Sequence, residues 1–423
     1  MLTFAFSLIL LFQAQASRPA TPESRPAPPV ELKPFGDDNV GQPRLAVIPT
    51  PELIKTKNPH VFRRVDKTVL PKKLQIVGQR ELEVVYTDSV DNGATFTNPL
   101  ILMKVKEGAA MRRGPRIATR GKIIVVTAPE GGGKDERGIL SVYSSDGGTT
   151  WSTPTKVTDQ AGVAGVAFHD LTVTTGGVFV VTWLDSRNGV GKGQSVFLSR
   201  STDGGKSWEK NVNIYSSPEG SVCGCCPIAM SAGCENRVGI LFSNKQGAAH
   251  DLCYLLSGDA GSTFAPPLRI EGKISEPCPS AEGAIVFNND VDDTGQYEST
   301  TCIINNRDGR LFARYSIANS LYARSYALTP GKQPTMAYEN GLRYFAYVDA
   351  TSEQLVLRFC PGDGDGRLCT VPTRLAGERV DSPMLALGPD QRAWITYEVR
   401  SGETVVSRLL DASQAAFASD TQK

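Results

Sequence analysis

Ser89-Val-Asp91-Asn-Gly93-Ala-Thr95-Phe96 is the first of four copies of one pattern, and the reading of these copies decides the fold. The others are Ser144-Ser-Asp146-Gly-Gly148-Thr-Thr150-Trp151, Ser201-Thr-Asp203-Gly-Gly205-Lys-Ser207-Trp208 and Ser257-Gly-Asp259-Ala-Gly261-Ser-Thr263-Phe264. Their first serines lie 55, 57 and 56 residues apart. A period of this length marks an array of like units, none able to bury its apolar face alone.

Each copy follows a strand-like run: Leu82 to Tyr86, Ile139 to Tyr143, Ser195 to Ser199 and Leu252 to Leu256. Ser and Asp side chains accept hydrogen bonds from nearby backbone N–H groups and close turns. The glycine supplies the positive φ that such a turn needs. The closing Trp or Phe starts the next strand and offers apolar area to a neighbouring unit. Asp91, Asp146, Asp203 and Asp259 are therefore read as structural turn acids.

A second element recurs outside the boxes: a short strand, a turn, then a buried strand. It begins at Arg116, Leu171, Pro227, Ala284, Pro334 and Pro383. Runs like those before the boxes return, without a box, at Leu311 to Tyr315, Leu355 to Phe359 and Val405 to Leu409. Short β-rich runs with Gly/Asp turns at regular intervals predict an all-β array. Closure into a β-propeller of four-stranded antiparallel blades removes its exposed edges. The period narrowly favours seven blades over six, with residues 39–106 as the alternative source of closing strands.

Residues 1–16 (MLTFAFSLILLFQAQA) form a short apolar stretch ending in Ala14-Gln15-Ala16, a small-x-small pattern expected of a signal peptide. The expected destination is secreted or periplasmic. Residues 17–38 are Pro-rich and read as a tether. The folded domain is expected over 39–415, with a tail at 416–423. Apart from the leader, which is too short to span, no run is apolar for the roughly 20 residues a membrane span needs. Lys and Arg total 45 against 44 acids, a balance that gives no long-range field for nucleic acid.

Nine cysteines follow the leader. In an exported chain their default use is disulfides. Cys360 and Cys369 bracket one loop and are the simplest pair to propose. Cys223-Gly-Cys225-Cys226 has two readings: disulfides to Cys234, Cys253 or Cys278, or a soft-metal site with His169 or His250 as nitrogen ligand. The spacing matches no standard zinc motif. No metal and no cofactor are assigned.

The octads resemble the Asp-box of the sialidase-type, or BNR-repeat, β-propellers. The boxes cover residues 89 to 264, and weaker strand repeats carry the likeness to about residue 410. Ser221-Val-Cys-Gly-Cys-Cys-Pro227, with Trp183-Leu-Asp185-Ser-Arg187 before it, resembles an exported bacterial branch of that family. In sialidases three arginines hold the substrate carboxylate, a Glu activates a Tyr nucleophile and an Asp is the acid/base. Pro115-Arg116-Ile117-Ala118 resembles the motif of the first arginine, with Ala in place of Pro. By the same resemblance Asp135 is the candidate acid/base, Glu298 the activating acid, Arg314 the second arginine and Arg358 the third. No nucleophilic Tyr is identified, since Tyr397 ends a strand that reads as core. The resemblance implies an exported protein that recognises, or as an exo-α-sialidase hydrolyses, terminal acidic sugars. The alternative is a non-catalytic glycan- or protein-binding propeller, because one fold hosts many sites.

Overall fold

The structure is a computed structural model. It describes residues 31–35, 41–47, 54–55, 62–63, 73–91, 93–107, 114–133, 136–161, 168–187, 193–218, 220–246, 249–274, 283–291, 297–307, 309–317, 320–321, 326–339, 342–361, 373–374, 379–387, 393–401 and 404–411. Among these the chain is all β apart from one short 3-10 turn, Cys234–Asn236. Among the described residues no helix is long and apolar enough to cross a membrane. The leader at 1–16 lies outside the described residues.

Among the described residues, six antiparallel sheets of four or more strands form a β-propeller. The first unit orders Gly41–Val47, Leu74–Arg80, Glu83–Ser89 and Leu100–Lys104 from inside out, so these four strands build a sheet of their own. The second runs from Arg116–Arg120 to Thr155–Lys156, the third from His169–Val173 to Val212–Ser216. The fourth begins with Ala229–Ala232 and ends with Leu268–Ile274. The next sheet has eight strands: seven form two consecutive four-stranded units with one strand in common, and Ser320–Leu321 pairs beside Arg310–Ile317. The two units share Tyr326–Glu339, which pairs with Arg310–Ile317 through Tyr326 to Pro330 and with Leu342–Asp349 through Gly331 to Glu339. One strand thus serves as the outer edge of the fifth unit and the inner edge of the sixth.

The last unit begins at Val380–Leu387, and its outermost strand is Glu31–Leu32, from the other end of the chain. Sequence placed that dipeptide in the tether. Its pairing with Leu409 and Leu410, and the burial of Phe35, move the start of the folded part back to residue 31. The edge of the last sheet gains a partner strand and the ring closes.

Apolar clusters fill the space between each unit and the next. Val84, Tyr86 and Met103 pack on Ile117, Val126 and Val142, and Val125 and Ile139 on Phe179 and Trp183. The last joint brings Trp394 and Leu409 onto Leu45, Leu74 and Ile76.

The four boxes share one geometry. In the first, Gly93 N–H donates to Ser89 Oγ at 2.7 Å, and Asp91 accepts from Thr95 N–H at 2.9 Å and from Thr95 Oγ1 at 2.6 Å. The box glycines sit at positive φ: Gly93 at 83°, Gly148 at 94°, Gly205 at 87° and Gly261 at 81°. Space adds a second requirement, since a Cβ at Gly205 would come within 2.6 Å of Val125 on the preceding unit. The box aromatics reach the same neighbour. Trp151 meets Tyr86 edge-on at 5.0 Å, and Trp208 Nε1 donates to Ser141 Oγ at 2.8 Å. Each octad is a tight corner and also a seat on the unit before it.

These bonds hold the box carboxyls below their ordinary range. At Asp91 the Thr95 hydroxyl, then the Thr95 N–H, lower the value from 3.8 to about 2. Asp146 is lowered in the same way by Thr150. At Asp203 and Asp259 slight burial pushes upward, and the hydrogen bonds outweigh it. A carboxyl depressed by folding adds stability above its unfolded value and loses it as pH falls through its folded one. The melting temperature, followed by circular dichroism, should therefore drop between pH of about 4 and about 2. Asp91→Asn combined with Asp146→Asn should make that drop shallower. An unchanged pH profile in the double variant would remove the boxes from the acid response.

Candidate functional site

The inner strands all run the same way, so their first residues gather at the face opposite the boxes. That face of a propeller, around the axis, is where backbone turns present side chains to a ligand. Arg44, Arg116 and Asp170 stand near the starts of the first three inner strands, in register with Val77, Thr127 and Thr182 of the adjacent strands. Asp381 has the corresponding place on the last one, opposite Glu398.

These groups form one half-buried charge network. Arg116 Nε donates to Asp170 Oδ1 at 3.2 Å, and its Nη1 donates to the carbonyl of Pro115 at 3.2 Å. Asp170 also accepts from Leu171 N–H at 3.0 Å and from Met230 N–H at 2.8 Å. One carboxylate thereby ties the second, third and fourth units together. Burial pushes the Asp170 carboxyl up, while Arg116 and the two N–H donors pull it back. Burial likewise lowers Arg116. Arg44 is held down to about 9, first by burial and then by the like charge of Arg116, with Glu398, Asp170 and Asp381 opposing. Arg44 stays cationic at neutral pH.

Two backbone bulges brace the other side of the axis. Gln333 and Ser382 sit at φ of 52° and 53°, each just before a proline. Gln333 Nε2 donates to Asp381 Oδ1, and Ser382 N–H donates to Gln333 Oε1 at 2.9 Å. The ladder shifts register at both bulges and again before Arg44.

The site residues expected from sequence fare unequally. Arg116 lies in the network. Arg314 and Arg358 lie on third strands, opposite Ile303 and Phe345, outward from the inner strands that carry Arg44 and Arg116. Glu298 pairs with Asp290 at the end of the fifth unit nearer the boxes, away from the inner-strand starts. A cluster of Arg116, Arg314, Arg358 and Glu298 is therefore not what the topology assembles. The spacing in the chain matched, but the strands run to opposite faces. Asp135 lies outside the described residues. Tyr397 is a core residue at 1% exposure, as its strand pattern implied.

Arg44 was missed. A signal was present, because Pro43-Arg44-Leu45-Ala46 repeats the form of Pro115-Arg116-Ile117-Ala118. Its unit has a box but no preceding repeat to compare it with. Asp185 and Arg187, from the segment that resembles an exported branch of the family, form a structural clip. Asp185 is fully buried and accepts from Trp183 Nε1 at 2.8 Å, while Arg187 bridges Asp185 and Asp159 and stacks 4.3 Å over Phe197.

The cysteines depart from the disulfide expectation. Among the described residues no disulfide joins Cys223, Cys225, Cys226, Cys234, Cys253 or Cys302. Cys234 follows the inner strand of its unit at the box face, whereas Cys223 to Cys226 precede that strand, so a sheet length separates them. Cys253 is an interior thiol pushed up to about 12 by burial and by Asp251. Cys278, Cys369 and the side chain of Cys360 lie outside the described residues.

A BNR repeat-like domain matches residues 115–325. Over those residues the chain is a BNR repeat-like β-propeller. Among solved structures, the polysaccharide lyase Uly1 is similar at 10% identity, with 81% of this chain and 88% of that one covered and a TM-score of 0.53. An α-L-arabinanase of Penicillium chrysogenum, solved with arabinobiose, gives 14% identity, 77% and 94% coverage and a TM-score of 0.48. The Hadza microbial sialidase Hz136 gives 14% identity, 74% coverage of this chain and a TM-score of 0.46, and the propeller spans 65% of its length. Such identities speak for the fold alone. No curated protein matches the sequence.

Proposed function

We propose that this propeller recognises a terminal acidic sugar at its axial face, through Arg44 and Arg116. The observation that carries the reading is the placement of two guanidiniums at the starts of neighbouring inner strands. Arg116 is already oriented by Asp170, and its side chain keeps 14% exposure. Two like charges side by side in a half-buried site repel, and a carboxylate between them relieves that cost while matching each planar fork. The inner strands make a rigid support for such recognition. The short apolar leader favours export, to the secreted or periplasmic space, where glycans are met.

Hydrolysis is a separate step and needs a nucleophile that Tyr397, in the core, does not supply. Binding of free N-acetylneuraminic acid and of its methyl ester, read by calorimetry, tests the recognition. Saturable binding of the acid, and none of the ester, is the expected result. Arg44→Gln should weaken it by about tenfold or more, the worth of one charged hydrogen bond, with the melting temperature followed in parallel. Equal affinity for acid and ester would remove the carboxylate from the reading. A fluorogenic α-sialoside in the same samples reports whether recognition extends to turnover.

A further inference from the structure

We propose that Cys223, Cys226 and His250 form a binding site for a thiophilic metal ion, on the fourth unit and apart from the arginine pair. The Sγ atoms of the two cysteines and a ring nitrogen of His250 all lie within 4.8 Å of one another. The three residues are 2%, 2% and 3% exposed. Cys225 is exposed, and its Sγ stands 2.9 Å from that of Cys223.

The fold brings these residues together across one strand. Val238–Gln246 pairs on one side with Ser221–Val222, with Val222 opposite Asn244. On its other side it pairs with Ala249–Ser257, with Lys245 opposite His250. The cysteine loop leaves Val222 and is pinned at once, because Cys223 N–H donates to the Ser243 carbonyl at 2.8 Å. Three consecutive positions of a central strand, Ser243 to Lys245, therefore carry both halves of the site. Pro227 then turns the chain into the inner strand, whose Met230 N–H is held by Asp170. The scaffold is rigid sheet on both sides, as a preorganised metal site requires.

The donor set selects the ion. Two thiolates and an imidazole suit zinc or cuprous copper, and offer nothing to calcium or magnesium, which take oxygen ligands. Zinc–sulfur bonds of about 2.3 Å in tetrahedral geometry put ligand atoms about 3.7 Å apart. The present separations, none above 4.8 Å, are close to that spacing. Binding replaces two S–H bonds by two metal–sulfur bonds and releases two protons to solvent, with no change in oxidation state. Cys225, at the surface, stands where an ion would enter.

The test uses the full chain with its thiols reduced. It is titrated separately with Zn(II) and with Cu(I) against a coloured competing chelator, and with Co(II) to read the thiolate charge-transfer band. One equivalent bound, with that band, is expected; whichever ion outcompetes the chelator identifies the soft-ion class. Cys223→Ser, Cys226→Ser and His250→Gln should each weaken binding by more than about 100-fold, beyond the cost of losing an outer-shell partner. Cys253→Ala serves as the control and should not alter it. Circular dichroism separates loss of the site from loss of the fold, and the cobalt band on the unaltered chain does not depend on any variant folding. No binding above the chelator, binding without the band, or binding unchanged in all three variants would each overturn the assignment.

Discussion

Asp170→Ala is expected to destabilise the propeller by about 3–5 kcal/mol, the cost of breaking a buried ion pair from one side. The variant removes the carboxylate that lies 3.2 Å from Arg116 and the acceptor for Leu171 and Met230 N–H. The guanidinium stays in its buried place with less compensation, next to the like charge of Arg44. Three adjacent units lose a common anchor, so the loss should appear as one cooperative shift in a urea melt read by circular dichroism. Replacing both partners, Arg116→Met with Asp170→Leu, should recover much of that stability, because a well-packed apolar pair avoids the desolvation cost. The double variant should at the same time fail to bind N-acetylneuraminic acid. A single-variant loss below about 1 kcal/mol, the level of an exposed pair, would mean that this network is hydrated and carries little of the fold.

Trp183→Ala should cost a similar amount, about 3–5 kcal/mol, through a different cause. The indole is fully buried between the second and third units, packed with Val125, Ile139 and Phe197. Its Nε1 donates to Asp185, a carboxylate that is also fully buried and paired with Arg187. Truncation to alanine opens a cavity and removes that donor together. Trp183→Phe separates the two, since it keeps most of the volume and loses the donor. It should cost about 1–3 kcal/mol, the penalty of a buried polar group deprived of a partner. Equal losses in the two variants would assign the whole effect to the hydrogen bond. The measurement is again the urea midpoint, with the slope checked for constancy.

The octads were legible because their physics is local. Ser89, Asp91, Gly93 and Thr95 lie within seven residues, and the side-chain bonds of Ser89 and Asp91 that shape the corner stay inside that span. The third strands before the boxes were readable for the same reason, as alternating runs ended by a turn. The degenerate units were readable only as strands. Nothing in Lys332-Gln333-Pro334 or Asp381-Ser382-Pro383 says that both are bulges facing one axis. The site suffered most from this. Glu298 and Arg314 sat at a persuasive distance along the chain, but antiparallel strands reverse direction at each hairpin. Sixteen residues on, Arg314 is one strand further out and toward the other face.

Sequence by itself determined the repeat, the all-β class, the corners and the aromatic seats between units, all of which depend on residues near one another in the chain. Only the tertiary structure decided which units meet across the axis. It joined residues 31–32 to 409–410, set Arg44 beside Arg116, and carried His250 to Cys223 and Cys226. Those pairings join segments separated by tens to hundreds of residues. They are fixed by how the sheets close on one another, which no local pattern encodes.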